Sequence, residues 1–153
     1  LSDDVRHLAY QFHPSILDDL GLTVALQRLV DECAARANLQ GTFDVSPAPQ
    51  TVPQTVATCL YRIAQESLAN VMKHARANKV IVSLASTADA ITLTVQDDGV
   101  GFDTQQLANG HRGLGLISMA ERLRLVRGTV TIDSIPHQGT RLYIKVPHAE
   151  VPV

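Results

Sequence analysis

AITLTVQDDGVGFD, residues 90–103, is the stretch on which the fold turns. Its first seven residues alternate, or nearly so, and are rich in Ile, Thr and Val, the pattern of a strand with one face buried. The strand then runs into two acids and two glycines. Glycine at 99 and 101 lets the backbone turn and approach a ligand without a Cβ in the way. Asp97 stands where the strand ends, and a carboxylate there can accept a hydrogen bond from an exocyclic amine, for example that of a purine. A calcium loop is excluded, because Gly99 and Gly101 occupy alternate positions that would need oxygen ligands and the twelfth position is Ala108 instead of Glu. A plain Asp-Gly turn remains open on this motif alone.

Working outward, KVIVSLAS (79–86), TVTIDSI (129–135) and TRLYIKV (140–146) repeat the two-residue period, and GTFDV (41–45) offers a short strand ended by the proline-rich SPAPQTVP. Helical spacing appears four times: over residues 3–14, up to Pro14; from about Thr23 to Asn38, burying Ala25, Leu26, Leu29, Val30 and Cys33; from about Gln54 to Ala75, with Val56, Leu60, Ile63, Ala64, Leu68 and Val71 on one side; and over LGLISMAERLRLVRG (114–128), closed by Gly128 as a C-cap. The order predicts an α+β protein: a two-layer α/β sandwich with a mixed, mostly antiparallel sheet covered by helices on one face.

Composition narrows the function. At 153 residues with 45% hydrophobic side chains, the chain can bury one core. Aromatic residues are only 4% and the formal charge is −2, which argues against base stacking or a phosphate-backbone footprint, and so against direct nucleic-acid binding. Cys33 and Cys59 lack CxxC spacing, so a reduced, cytosolic setting without a zinc site is the simplest expectation. No apolar run reaches the roughly 18 residues of a membrane span. The chain starts with Leu, which suggests a piece of something longer.

Two further motifs carry chemistry. In HRGLGLISMAERL, Gly113 and Gly115 precede a helix whose first N–H groups form an anion site, unless GLGL is merely a flexible lead into it. Neither GxxxxGK[ST] nor a strand followed by GxGxxG is present, so P-loop and Rossmann readings fail. On the long helix, QESLANVMKHA places Glu66, Asn70, Lys73 and His74 on one face. That face can be simply solvated, or it can offer an amide oxygen to Mg²⁺ and an ammonium to phosphate.

A nucleotide with its metal needs a base-binding acid, a phosphate-binding helix start and an oxygen ligand. ESLANVMKHA, DDGVGF, GLGL and the late GTRLYIKVP resemble, in that order, the N, G1 and G2 boxes and closing GT strand of histidine-kinase ATP-binding domains, whose Bergerat (GHKL) fold is shared with Hsp90, MutL and gyrase. FHPSILDDLGLTVAL resembles the segment that joins dimerisation helices to the ATP domain in the NarL-partner (NarX/DesK-like) class of sensor kinases. Residues 1–22 are thus expected to be the linking segment and 23–153 the ATP-binding domain.

The resemblance implies ATP and Mg²⁺ as cofactors. Asp97 would bind the adenine amine with Thr140 nearby through water; Asn70 would ligate Mg²⁺, Glu66 would orient the metal or its waters, and Lys73 would approach the phosphates. Gly99 and Gly101 would shape the adenine pocket. Gly113, Leu114, Gly115 and Leu116 would let a reduced lid, TQQLANGHR, close over the triphosphate. His74 matches a family His with either a nucleotide-facing or a structural role, and His13 reads as structural, the phosphoacceptor lying upstream. The implied activity is that of a histidine protein kinase: γ-phosphoryl transfer to a histidine of the absent dimerisation domain, then relay to the aspartate of a NarL/LuxR-type response regulator. The piece alone would bind ATP in the cytoplasm without phosphorylating itself, homodimerisation belonging to the full-length parent. A MutL- or Hsp90-type ATP hydrolase and a non-catalytic nucleotide-binding module are the alternatives.

Overall fold

The computed structural model describes residues 14–47, 49, 51–105 and 115–148. The elements are α1 (Ser15–Ala37), β1 (Gln40–Val45), α2 (Gln54–Asn70) running into a π turn (Val71–Ala75), β2 (Lys79–Ser86), β3 (Ala90–Asp97), α3 (Leu116–Arg124), β4 (Thr129–Ile135) and β5 (Gly139–Pro147). The strands form one mixed sheet in the order β1-β2-β3-β5-β4, with β1 parallel to β2 and every other pair antiparallel. This is the α+β architecture expected from the change of period. The helix expected over residues 3–14 lies almost wholly outside the described residues.

Strand parity decides which side chains meet. Across the sheet, the registers align Phe43, Val82, Val95, Leu142 and Ile132 in one row, and Val45, Leu84, Leu93, Ile144 and Val130 in the next. Leu60, Ile63 and Ala64 of α2, Leu26 and Val30 of α1, and Met119 and Leu123 of α3 join these rows in a single aliphatic core, each at most 1% exposed. Fully burying such a side chain contributes roughly 1.5–3 kcal/mol, so this layer supplies the main driving force. The opposite sheet face carries Thr92, Thr94, Gln96, Arg141 and Lys145, half-buried or exposed.

Three local features differ from the sequence reading. The second helix starts at Ser15, well before Thr23, and is broken at Gly21 (φ 82°, ψ 170°), so Leu17 and Leu22 on either side of the kink both reach the core. Helix α3 is shorter than residues 114–128, and its left-handed exit is Arg127 (φ 58°), with Gly128 donating its N–H to the Leu123 carbonyl at 2.8 Å. Gly128 is needed for space, since a Cβ there would meet Leu123 Cδ2 at 2.6 Å. Finally, the long helix does not stay regular to Ala75: its last five residues widen into the π turn.

Candidate functional site

One further row crosses the inner face at the end of the sheet: Gly41, Val80, Asp97, Thr140 and Ser134. Its polar members, Asp97, Thr140 and Ser134, occupy positions that parity otherwise gives to the core. Above them, α2 and its π turn, the 97–103 loop and the start of α3 enclose a cleft of about 540 Å³ that is open to solvent. Its walls are mostly apolar, with Val71, Val95, Val100, Phe102, Leu116, Met119, Ile132 and Leu142, and the polar groups facing it include Ser67, Asn70, His74, Asp97 and Thr140. An apolar cleft with a few convergent polar groups is suited to a flat heterocycle with a polar edge.

Asp97 is 9% exposed. Burial pushes its carboxyl above the usual carboxylate range, against the pull of the Gly99 and Thr140 N–H groups, while neighbouring Asp98 pushes it further up. The Gly99 N–H donates to Asp97 Oδ1 at 2.8 Å. Asp98 behaves differently: it is exposed, accepts the Asn78 and Lys79 N–H groups on Oδ1 at 2.8 and 2.9 Å, and is held below its ordinary value chiefly by the Lys79 bond. Of two adjacent acids, one faces the cleft and the other clamps the start of β2.

The glycines serve packing more than ligand approach. A Cβ on Gly99 would run into the Ala75 carbonyl, which also accepts the Val100 N–H at 2.7 Å, so Gly99 lets the loop dock on the π turn. Gly101 (φ 61°) lies against the Ile135 carbonyl and lines the cleft, whereas Gly99 does not. The closest approach at each glycine is to the protein's own backbone, and of the two expected to shape the pocket, Gly101 lines the cleft.

Of the other expected site residues, Asn70, His74, Leu116 and Thr140 line the cleft. Glu66 lies against Gly115 (φ 65°), where a Cβ would strike its Oε1, so the α2 carboxylate abuts the start of α3. Burial raises the Glu66 carboxyl and the Arg122 charge pulls it back. Lys73 is exposed and is not among the residues lining the cleft; the π turn carries it off the face shared by Asn70 and His74. Gly113 and Leu114 lie outside the described residues, as do His13 and residues 106–112 of the expected lid.

Sequence reasoning missed Ser134. Its Oγ stands 2.8 Å from Thr140 Oγ1 and accepts the Phe102 N–H at 2.9 Å. The available signal was parity, since in TVTIDSI the serine shares the phase of Val130 and Ile132.

Residues 55–150 match the family described as histidine kinase-, DNA gyrase B-, and HSP90-like ATPase. The chain belongs to this family. Within it, the chain is 39% identical over 145 residues to the sensor histidine kinase MctS of Rhizobium johnstonii, covering 94% of this chain and 31% of that protein. It is 38% identical over 147 residues to the oxygen sensor histidine kinase NreB of Staphylococcus carnosus, covering 96% and 42%. It therefore spans less than half the length of these curated relatives. The ATP-binding domain of PrrB from Mycobacterium tuberculosis superposes with a TM-score of 0.66 at 25% identity, over 84% of this chain and 94% of that one. As a member of this ATPase family, the chain is an ATP-binding domain, and the histidine-kinase resemblance drawn from its motifs holds.

Proposed function

We propose that the chain binds Mg·ATP with its adenine in the cleft beside Asp97 and serves a parent sensor histidine kinase as the catalytic domain. The observation that carries the base assignment is the buried Asp97 carboxylate, set on an apolar wall beside Thr140. It is an acceptor matched to an exocyclic amine, and Thr140 supports it through water. Gly101 and Leu116 border the base, and Gly99 holds the loop that carries Asp97. By resemblance, Gly113, Leu114 and Gly115 would let the lid close over the triphosphate.

The donors on α2 fit Mg²⁺. An amide oxygen at Asn70 and a carboxylate at Glu66, one turn apart, suit a hard cation that keeps several waters and is otherwise bound by phosphate oxygens. Bound there, Mg²⁺ would neutralise charge on the triphosphate. Asn70 would ligate the metal and Glu66 would orient its waters, while Lys73 would approach the phosphates and His74 would border the nucleotide.

Phosphoryl transfer depends mainly on positioning and charge neutralisation, so this domain can orient Mg·ATP without holding the acceptor. The acceptor is a histidine on the parent's dimerisation domain, and the phosphoryl group passes on to an aspartate of a NarL/LuxR-type response regulator. The division into a link, residues 1–22, and the ATP domain, residues 23–153, rests on the resemblance of FHPSILDDLGLTVAL. The domain works on the cytoplasmic side of a bacterial sensor. The test is radiolabel transfer from [γ-³²P]ATP in the full-length parent, which should yield an acid-labile phosphohistidine on the parent itself. A parent that binds ATP and never labels its own histidine would overturn the kinase assignment.

One observation favours a second reading: the desolvated Glu66 carboxyl has the raised affinity for a proton that suits a water-activating base. A hydrolase would release phosphate steadily from this chain alone, and the transfer reading predicts no such turnover.

A further inference from the structure

Ser134 is buried on the phase of β4 that Val130 and Ile132 give to the core, and its hydroxyl meets three partners. The Phe102 N–H donates to Oγ at 2.9 Å, the Gly139 carbonyl lies at 3.1 Å, and Thr140 Oγ1 lies at 2.8 Å. A hydroxyl has one proton and two lone pairs, and a carbonyl has no proton to give. The Gly139 contact therefore requires Ser134 to donate. Phe102 takes one lone pair, and only the Thr140 proton can match the other. This single assignment satisfies all three bonds; any other leaves a contact unmade at a buried site, where that is costly. It turns the Thr140 proton away from the cleft and leaves lone pairs on the cleft side.

We infer that Ser134 is a positioning residue that sets the base selectivity of the nucleotide cleft. By holding the Thr140 proton it makes Thr140 an acceptor, so that Thr140 and the Asp97 carboxylate together present acceptors only. Such an edge matches a 6-amino purine, or a water donating to it, and opposes the oxygen of a 6-keto purine. The same hydroxyl ties β5 to Phe102, so the polarity of the wall and the position of the loop are fixed together. This inference rests on the adenine reading of the cleft.

ATP and inosine triphosphate differ at the 6 position, amine against keto oxygen with a proton on N1. Their dissociation constants with Mg²⁺ are to be measured by calorimetry on the 153-residue chain, its Ser134→Ala variant and its Ser134→Thr variant. Ser134→Ala frees Thr140 to donate to the keto oxygen, so the ratio of the inosine to the adenosine constant should fall about three- to tenfold, the scale of one neutral hydrogen bond. Ser134→Thr keeps the hydroxyl and should keep the wild-type ratio. A merely structural serine would weaken both nucleotides alike, and an unchanged ratio in Ser134→Ala overturns the inference while leaving the adenine reading intact. A wild-type chain that binds both nucleotides equally, or neither, overturns both. Should Ser134→Ala not fold, Ser134→Cys, whose sulfur is a weak acceptor, is expected to shift the ratio the same way, and its failure to do so counts equally against the inference.

Discussion

Asp97 and Asp98 are chemically identical and adjacent, yet their surroundings push them in opposite directions. Asp97 has a folded pKa raised above its ordinary 3.8, mainly by burial, so its ionised form costs stability; the cost is present at neutral pH and is relieved as pH falls through the raised value toward 3.8. Asp98 has a lowered folded pKa, so its contribution is present above 3.8 and is lost as pH falls below it. Thermal scans should show Asp97→Asn raising the midpoint at pH 7 by about a few degrees, with the gain shrinking as pH falls toward 4. Asp98→Ala should cost about 1 kcal/mol at pH 7, discounted for its exposure, with the cost shrinking below pH 3.8. If both variants shifted the midpoint in the same direction at pH 7, the division of labour between the two acids would be wrong. The sequence singled out Asp97 as the acid where the strand ends, and strand parity turns it inward, because it shares the phase of Leu93 and Val95. Ser134 escaped the sequence reading because a serine in an alternating strand ordinarily faces water, and its three partners come from the 97–103 loop and β5.

At the scale of elements, two glycines serve different ends. Gly21 has nothing within 4 Å of a notional Cβ, so alanine there pays only for its backbone conformation, about 1–3 kcal/mol. Gly99 lies against the Ala75 carbonyl, and alanine there must separate the loop from the π turn. Gly99→Ala should therefore lose about 3 kcal/mol or more in urea unfolding and weaken nucleotide binding. Gly21→Ala should leave binding unchanged, and equal effects of the two on binding would contradict the packing account. Most elements were legible because their periods are clean: every apolar position assigned to α2, from Val56 to Val71, is buried. The π turn was not legible, since no residue type in VMKHA announces a wider turn, and a regular helix carried through it puts Lys73 on the wrong side. Nor did local pattern show that β1 would pair in parallel with β2. That pairing depends on α2 crossing between them, and on Gly41 admitting α1, where a Cβ would meet Val30 Cγ1 at 2.9 Å.

At the scale of the molecule, the sheet and helices form one aliphatic layer whose end row carries Asp97, Thr140 and Ser134, and the first two of these line the cleft. The residues proposed for base and metal thus come from elements far apart in sequence, Asn70 from α2, Asp97 from β3, Thr140 from β5, and the same packing that stabilises the fold brings them to one cleft. Binding should consequently be linked to global stability: Mg·ATP at about 100 times its dissociation constant adds about 2.7 kcal/mol. The most direct test is calorimetric titration of the chain with Mg·ATP, beside Asp97→Asn and with GTP as competitor. The account predicts saturable binding of ATP, no competition by GTP, and loss of binding in a variant that remains folded and no less stable. ATP binding left intact by Asp97→Asn, or displaced equally well by GTP, would contradict the assignment of the cleft beside Asp97 as an adenine site.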